Sequence, residues 1–366
     1  MTPRSGIALL FAFSVVAAFA VGACSKSSTP TPTPIASVSP SPFPDTLYVQ
    51  DVTSKTIRVY KNASGSNGFV QVSTTLSAVT VSVNDVVYSP DKNVAWMPFC
   101  AGKPCPGTSG PINVYAGANA LPTDAPPTST VTLANINGAA AYDDNHDFLY
   151  VPVNNSAAVE IYQNASTLGT GGNTAPAASA TLTITDAGIQ YPGPPRPQEL
   201  YYDKARDLLF VSDFGTVVAV FDNFGAQAAA AVSSHSNINL TANNEITGLV
   251  QTDGMAYNSS QDILFLVADQ HGQLSVISSA STTNGAAGHI QLVTGFSLPK
   301  GIAYDDIRNI LFVYDPGNPQ GEGQILSFPN ATTLAGSQHS WAGRKGFVDS
   351  FVSSLSGFGI AIDETH

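Results

Sequence analysis

One stretch recurs along this chain and constrains it more than any other feature. Gly301-Ile-Ala-Tyr-Asp-Asp-Ile-Arg-Asn-Ile-Leu-Phe aligns without gaps on Gly254-Met-Ala-Tyr-Asn-Ser-Ser-Gln-Asp-Ile-Leu-Phe and on Glu199-Leu-Tyr-Tyr-Asp-Lys-Ala-Arg-Asp-Leu-Leu-Phe. Ala139-Ala-Ala-Tyr-Asp-Asp-Asn-His-Asp-Phe-Leu-Tyr and Asp85-Val-Val-Tyr-Ser-Pro-Asp-Lys-Asn-Val-Ala-Trp complete the set. Every copy has a tyrosine, a short polar turn, and an aromatic at the eighth residue after the tyrosine. Self-similarity at roughly 50 residues signals an architecture of repeated supersecondary units.

Each unit reads as strands. The first is short and rich in small residues. The second carries the aromatic: Tyr48, Trp96, Tyr150, Phe210, Phe265 or Phe312. The third alternates apolar and other residues, as in Ile57-Arg-Val-Tyr60 and Val159-Glu-Ile-Tyr162, and a weaker fourth follows, such as Val131–Leu133. Alternation interrupted by Gly, Asn, Asp and Pro is the strand signal, and no segment shows helical periodicity. Six second strands are matched by only five first strands, while Phe358-Gly-Ile-Ala-Ile362-Asp363 repeats the first-strand pattern at the C-terminus. Pairing that tail with the N-terminal blade supplies the missing strand and removes open edges. The expected fold is all-β: a six-bladed β-propeller of four-stranded antiparallel blades, closed by the C-terminal strand.

The pattern resembles the NHL repeat, which runs Gly-Ile-Ala-Val-Asp, Leu-Tyr-Val-Ala-Asp and Ile-Gln-Val-Phe, and places the chain near the TolB-like and SMP-30-like propellers. The resemblance spans residues 45–366 and implies a fold that serves both ligand-binding scaffolds and enzymes.

Residues 1–23 have a basic start at Arg4, an apolar run from Ile7 to Ala20 and small residues up to Ala23, which reads as an export signal. Cys24 directly follows and resembles the lipidated cysteine of bacterial lipoproteins. That resemblance implies a membrane attachment through an N-terminal lipid, and Ser25 at the next position implies the outer membrane or cell surface. Residues 24–44 are Ser/Thr/Pro-rich and favour an extended polyproline tether. The whole chain has 14 Lys and Arg against 26 Asp and Glu, a net charge of −12, and loss of Arg4 with the signal makes it −13. So acidic a chain is unsuited to nucleic acid, whose binding rests on neutralising phosphates. Cys100 and Cys105 remain as an even pair, read as a local disulfide in an exported protein.

Candidate chemistry is sparse. Neither a Gly-x-Ser-x-Gly elbow nor a His-Glu-x-x-His helix occurs. Asp143-Asp-Asn-His-Asp147 begins like a calcium loop but has Phe148 where glycine is needed, so it reads as a turn. Asp51, Asp213, Asp269 and Asp315 end successive second strands and read as turn acids, a cation-binding carboxylate ring being the alternative. The first strands should line the axis, which puts Asn84, Asp85, Glu199 and Asp253 around one mouth with His271 as the nearest acid/base group. The SMP-30 resemblance implies a Glu, Asn and Asp metal site there, and Glu199, Asn84 and Asp253 are the corresponding positions. Calcium is the cofactor that such a mouth would take, with no cofactor as the main expectation.

The expected function is a lipid-anchored, monomeric binding scaffold of the cell envelope. It would recognise a protein or glycan through the insertions 99–111 and 186–198, since loops on a rigid frame carry recognition. The alternative is a metal-dependent hydrolase or lactonase working at the acidic mouth.

Overall fold

The computed structural model describes residues 45–51, 54–66, 68–69, 71–77, 85–98, 110–134, 136, 138–153, 156–172, 175–185, 197–213, 215–287, 290–315, 324–334, 339–340, 345–348 and 359–365. Residues 1–23, read above as an export signal, residues 24–44, read as a tether that begins at Cys24, and Asn84, Cys100, Cys105 and most of both insertions lie outside the described residues.

Six sheets form a ring. Blade 1 joins Ile360–Asp363 to Thr46–Asp51, Thr56–Lys61 and Thr74–Ser77. Blade 2 comprises Val87–Ser89, Val94–Pro98, Gly110–Ala116 and Ser129–Leu133, and blade 3 Ala141–Asp143, Phe148–Pro152, Ala158–Gln163 and Ala180–Ile184. Blade 4 comprises Glu199–Asp203, Leu208–Ser212, Val218–Asp222 and Asn244–Thr247. Blade 5 comprises Gly254–Asn258, Ile263–Ala268, Gln273–Ser278 and Ile290–Thr294, and blade 6 Gly301–Asp305, Ile310–Asp315, Gln324–Pro329 and Lys345–Val348. Each first strand touches the first strands of both neighbouring blades, so these six surround the axis. The C-terminal strand closes the ring antiparallel to the N-terminal one, with Thr46 opposite Asp363 and Val49 opposite Ile360.

The repeat has a packing explanation. In blades 1 to 5 the aromatic of the second strand packs against the first-strand tyrosine of the next blade: Tyr48 stacks on Tyr88 at 4.8 Å and Trp96 on Tyr142 at 4.3 Å, Tyr150 meets Tyr202 edge-on at 5.5 Å, and Phe210 and Phe265 lie tilted against Tyr257 at 4.7 Å and Tyr304 at 5.4 Å. Such pairs contribute about 0.5–1.5 kcal/mol each beyond the area they bury. At the sixth seam Phe312 meets the aliphatic Ile360 and Ile362 of the closing strand instead.

The polar turn is equally specific. Asn93, Asp147, Asp207, Asp262 and Asn309 all adopt φ between 52° and 57°, a left-handed conformation that Asn and Asp tolerate best among residues with a side chain. Each accepts the hydroxyl proton of its own blade's tyrosine, for example Tyr142 to Asp147 at 2.8 Å and Tyr257 to Asp262 at 2.8 Å. Each also accepts a backbone N–H just past the third strand, as Ser166 N donates to Asp147 and Thr332 N to Asn309. Blade 1 is split at this turn, and Asp45 takes over the role: Ser64 donates to it from both N and Oγ, each at 2.8 Å. The triplets Asn62-Ala-Ser64, Asn164-Ala-Ser166 and Asn330-Ala-Thr332 belong to the same device. Their Asn is left-handed, their Ala is fully buried, and their Ser or Thr bonds to the turn residue.

Two features go beyond the sequence reading. Short segments between the third and fourth strands of one blade pair in parallel with the outer strand of the preceding blade: Ile238–Leu240 on blade 3, Gly285–Ala286 on blade 4, His339–Ser340 on blade 5 and Gly68–Phe69 on blade 6. They cover edges that would otherwise expose unpaired backbone groups. The expectation of no helix is corrected by Phe224–Ser234, an α-helix. Its run of alanines forms helix through intrinsic propensity, which leaves little amphipathic period to detect.

Candidate functional site: the axial channel

The first strands enclose an axial cavity of about 460 Å³. Their starts define an upper rim and their ends a lower rim. The hairpins joining second to third strands, and the connections from each outer strand to the next blade, lie on the upper face. Pro98 and Ile112 are paired at the upper end of blade 2, and the described residues bounding the other insertion, Thr185 and Pro197, lie at the same level. The described residues that bound both insertions therefore lie on one face.

The upper rim gathers several of the expected site residues. Asp85, Glu199 and Asp253 all line the cavity. Alternation along the strands fixes their direction. Leu200 and Tyr202 pack in the core between blades 3 and 4, whereas Tyr201 packs in that between blades 4 and 5. Glu199 shares the side of Tyr201 and faces blade 5, as does its strand partner Ser212. Met255 and Tyr257 pack toward blade 4, so Asp253, held in the same ladder by its N–H bond to Val267 O at 2.9 Å, faces back toward Glu199. Glu199 and Asp253 are both buried. Lys300 occupies the corresponding position of blade 6 and is buried too. Gly254 and Gly359, which stand at this position in blades 5 and 1, are needed for close approach. A Cβ on Gly254 would come within 2.8 Å of Lys300 O, and one on Gly359 within 2.5 Å of the Asp85 backbone.

His271 lies on the upper face, in the turn after Ile263–Ala268, and is exposed. It does not line the cavity. Among the described residues no three His, Cys, Asp or Glu side chains converge as a set of metal ligands.

Three of the second-strand acids are spent within the frame. Asp51 holds Arg58 Nε at 2.8 Å, Asp213 accepts Gly215 N at 2.8 Å, and Asp315 accepts Ser297 N and Leu298 N, both at 2.8 Å. Asp143 is likewise spent on the N–H groups of Asn145 and His146, the His146 ring at 2.7 Å and the Tyr150 hydroxyl at 2.9 Å. The turn reading agrees with the geometry of Asp143 and Asp213, whereas Asp51 also forms an ion pair with Arg58 and Asp315 accepts from the connection that precedes its own blade.

The lower rim was missed from sequence, because its residues sit inside the turn repeat and look like solvated turn positions. Lys204 of blade 4 reaches Asp91 of blade 2 at 2.6 Å and Asp144 of blade 3 at 3.5 Å, bridging three blades. Burial alone would lower the Lys204 pKa, but the two carboxylates outweigh it and raise it. Burial lifts Asp144 despite its bond from Ser89 Oγ. On the opposite side Asp306 N donates to Glu364 Oε1 at 3.1 Å. Burial, reinforced by the charges of Asp305 and Asp306, pushes the Glu364 carboxyl up to about 7. Tyr201 is the largest third residue of the six first strands; Val87 in blade 2 and Ala141, Ala256, Ala303 and Ala361 line the same level elsewhere.

No family model matches the chain, and no curated protein matches it. Among solved structures, 88% of the chain is similar to 99% of a chain from the crystal structure of a nidogen/laminin complex, with a TM-score of 0.51 and 11% identity. In all, 1106 solved chains match, so a ring of this kind is widely shared. At 11% identity the likeness shows the β-propeller fold and nothing narrower.

Proposed function

We propose that the protein is a binding scaffold of the bacterial cell envelope, held by a lipid on Cys24 and extended from the membrane by the Pro-rich residues 24–44. The partner is a protein or a glycan recognised on the upper face. One observation supports this reading: the described residues at which the insertions 99–111 and 186–198 begin and end lie on the face that also bears the buried acidic rim. Loops displayed on a rigid frame are where recognition resides, and propellers commonly act this way. That the similar nidogen/laminin chain comes from a protein complex is compatible with such a role.

The test is capture of envelope proteins and glycans by the full chain, compared with variants in which 99–109 or 186–196 is shortened to a two-residue turn. Loss of a partner on shortening either loop supports the reading, and an unchanged partner set refutes it. The second reading, a calcium-dependent hydrolase or lactonase, rests on Glu199 and Asp253 facing each other at the rim. Calcium titration of the full chain with Glu199→Gln as control tests it, and equal binding by both proteins rejects it.

A further inference from the structure

We propose that the seam of blades 6 and 1 carries a strap worked by pH at the lower mouth. With Glu364 neutral the end of the closing strand is fastened to blade 6, and when Glu364 ionises it comes away and loosens the mouth. This is separate from recognition on the upper face and does not depend on it.

The lower mouth is ringed by ties between neighbouring blades. The residue directly after each first strand lines the cavity: Pro90, Asp144, Lys204, Ser259 and Asp306 in blades 2 to 6, and Glu364 in blade 1. All but Pro90 reach back to the preceding blade. Asp144 accepts from Ser89 Oγ, Lys204 lies 3.5 Å from Asp144, and Ser259 Oγ donates to Asp203 Oδ2 at 2.8 Å. Asp306 Oδ1 accepts from Asn258 Nδ2 at 3.3 Å, and Glu364 Oε1 from Asp306 N at 3.1 Å. In blade 2 Tyr88 supplies the tie instead, donating to Asp363 Oδ2 at 2.8 Å.

The Glu364 tie stands apart from the others. In blades 2 to 6 a turn joins the first strand to the second and holds the rim residue from both sides. No such turn joins Ile360–Asp363 to Thr46–Asp51, which lie far apart in sequence, so Glu364 lacks that restraint. Its seam also lacks the aromatic–tyrosine contact, since Phe312 packs with Ile360 and Ile362.

The surroundings make this tie depend on charge. On blade 6 the Glu364 carboxyl faces Asp305 and Asp306, and Asp203 of blade 4 adds its charge to Asp306. The hydroxyls of Tyr304 on blade 6 and Tyr201 on blade 4 also feel its charge. On its own strand Asp363 accepts from Tyr88 and Thr365. The cations of this rim are engaged with other acids: Arg308 with Asp305 at 2.8 Å, and Lys204 with Asp91 at 2.6 Å. Among the described residues no cation pairs with Glu364. Ionisation therefore sets a further negative charge beside two carboxylates with no counter-ion in contact. The neutral acid escapes that repulsion and keeps a carbonyl oxygen for the Asp306 N–H. Burial first, then Asp305 and Asp306, push the carboxyl up to about 7 against the lowering effect of the Asp306 and Ile307 N–H groups. Because the folded pKa is raised, fastening is complete below the ordinary 4.5 and is lost as pH rises through 7.

The experiment is amide hydrogen exchange by NMR on the full chain between pH 5.5 and 8.5, each rate corrected for the intrinsic pH dependence of exchange. The Asp306 and Ile307 amides, which bond to Glu364, should lose about tenfold in protection between the two limits, with a midpoint near 7. Glu364→Gln keeps the acceptor without the charge, so both amides should stay protected throughout. Asp306→Asn should move the midpoint to lower pH, since one of the repelling charges is gone. The Thr46–Asp51 amides should hold their protection, because their pairing with the closing strand does not involve Glu364. The proposal is overturned if the Asp306 and Ile307 amides are equally protected at both limits, or if Glu364→Gln loses protection like the parent. It is also overturned if Asp306→Asn leaves the midpoint in place, or if the Thr46–Asp51 amides lose protection to the same extent, which would make the change global.

Discussion

Replacing Asp262 with alanine tests the turn device that recurs in blades 2 to 6 and holds each blade's first-strand tyrosine. Asp262 Oδ1 accepts from Tyr257 Oη and Ser281 N, and Oδ2 from Ser281 Oγ, all at 2.8 Å. Its φ is 57°. Alanine loses three hydrogen bonds at about 1 kcal/mol each. It also keeps a Cβ in the left-handed region without the local bonding that offsets it, at about 1 kcal/mol. The expected loss is therefore about 4 kcal/mol. For a propeller of this size it corresponds to about 6 °C in melting temperature. Two companion variants divide the cost. Asp262→Asn retains the Oδ1 acceptor, as the natural Asn93 and Asn309 do, and should lose no more than about 1 kcal/mol. Asp262→Gly relieves the backbone but not the missing acceptors, and should fall about 1 kcal/mol short of the alanine loss. Guanidinium unfolding followed by tyrosine and tryptophan fluorescence measures all three. An alanine variant within about 1 kcal/mol of the parent, or an asparagine variant as damaged as alanine, would refute the reasoning.

Three further outcomes follow from the same geometry. Glu364 has a folded pKa of about 7 against an ordinary 4.5, so its contribution is fully present below 4.5 and is lost as pH rises through 7. The carboxyl is half-buried, which brings that loss to about 1–3 kcal/mol between pH 4.5 and 8; denaturation of Glu364→Gln across this range should lack this slope, and an identical slope in both proteins would disprove the assignment. Truncation before Gly359 removes the strand paired with Thr46–Val49 and should abolish cooperative melting by calorimetry; a truncated chain that melts like the parent rules out closure as a stabilising feature. Trp96 is fully buried, stacks on Tyr142 and donates Nε1–H to Ala165 O at 2.9 Å. Trp96→Phe should cost about 1–2 kcal/mol and Trp96→Ala about 3–5 in the same unfolding assay, with equal losses counting against the stacking account.

The outline of the fold was legible in sequence because its period is carried by residues with one stereochemical task each. A tyrosine, an Asp or Asn five residues later in a polar turn and an aromatic after three more can be seen without coordinates. Their partners cannot. The aromatic serves the next blade rather than its own, and Asp45 fills the turn role across a chain break in blade 1. Neither relation leaves a local trace. The short parallel segments were invisible for a related reason: two or three residues carry too little alternation to read as a strand. Phe224–Ser234 escaped because alanine forms helix without an amphipathic stripe.

At the candidate site the division is similar. Period alone brought Asp85, Glu199 and Asp253 to one rim, since a residue's height along the axis follows from its place in the repeat. Which way each side chain turns follows from strand parity combined with the identity of the neighbouring blade, and so required the packed ring. The lower rim illustrates the limit. Asp144, Lys204, Asp306 and Glu364 are turn residues in sequence, and only closure of the ring sets Lys204 against Asp91 and Glu364 against Asp306. Local chemistry specifies each strand and turn; electrostatics across the axis exist only once six blades, distant in sequence, converge on one channel.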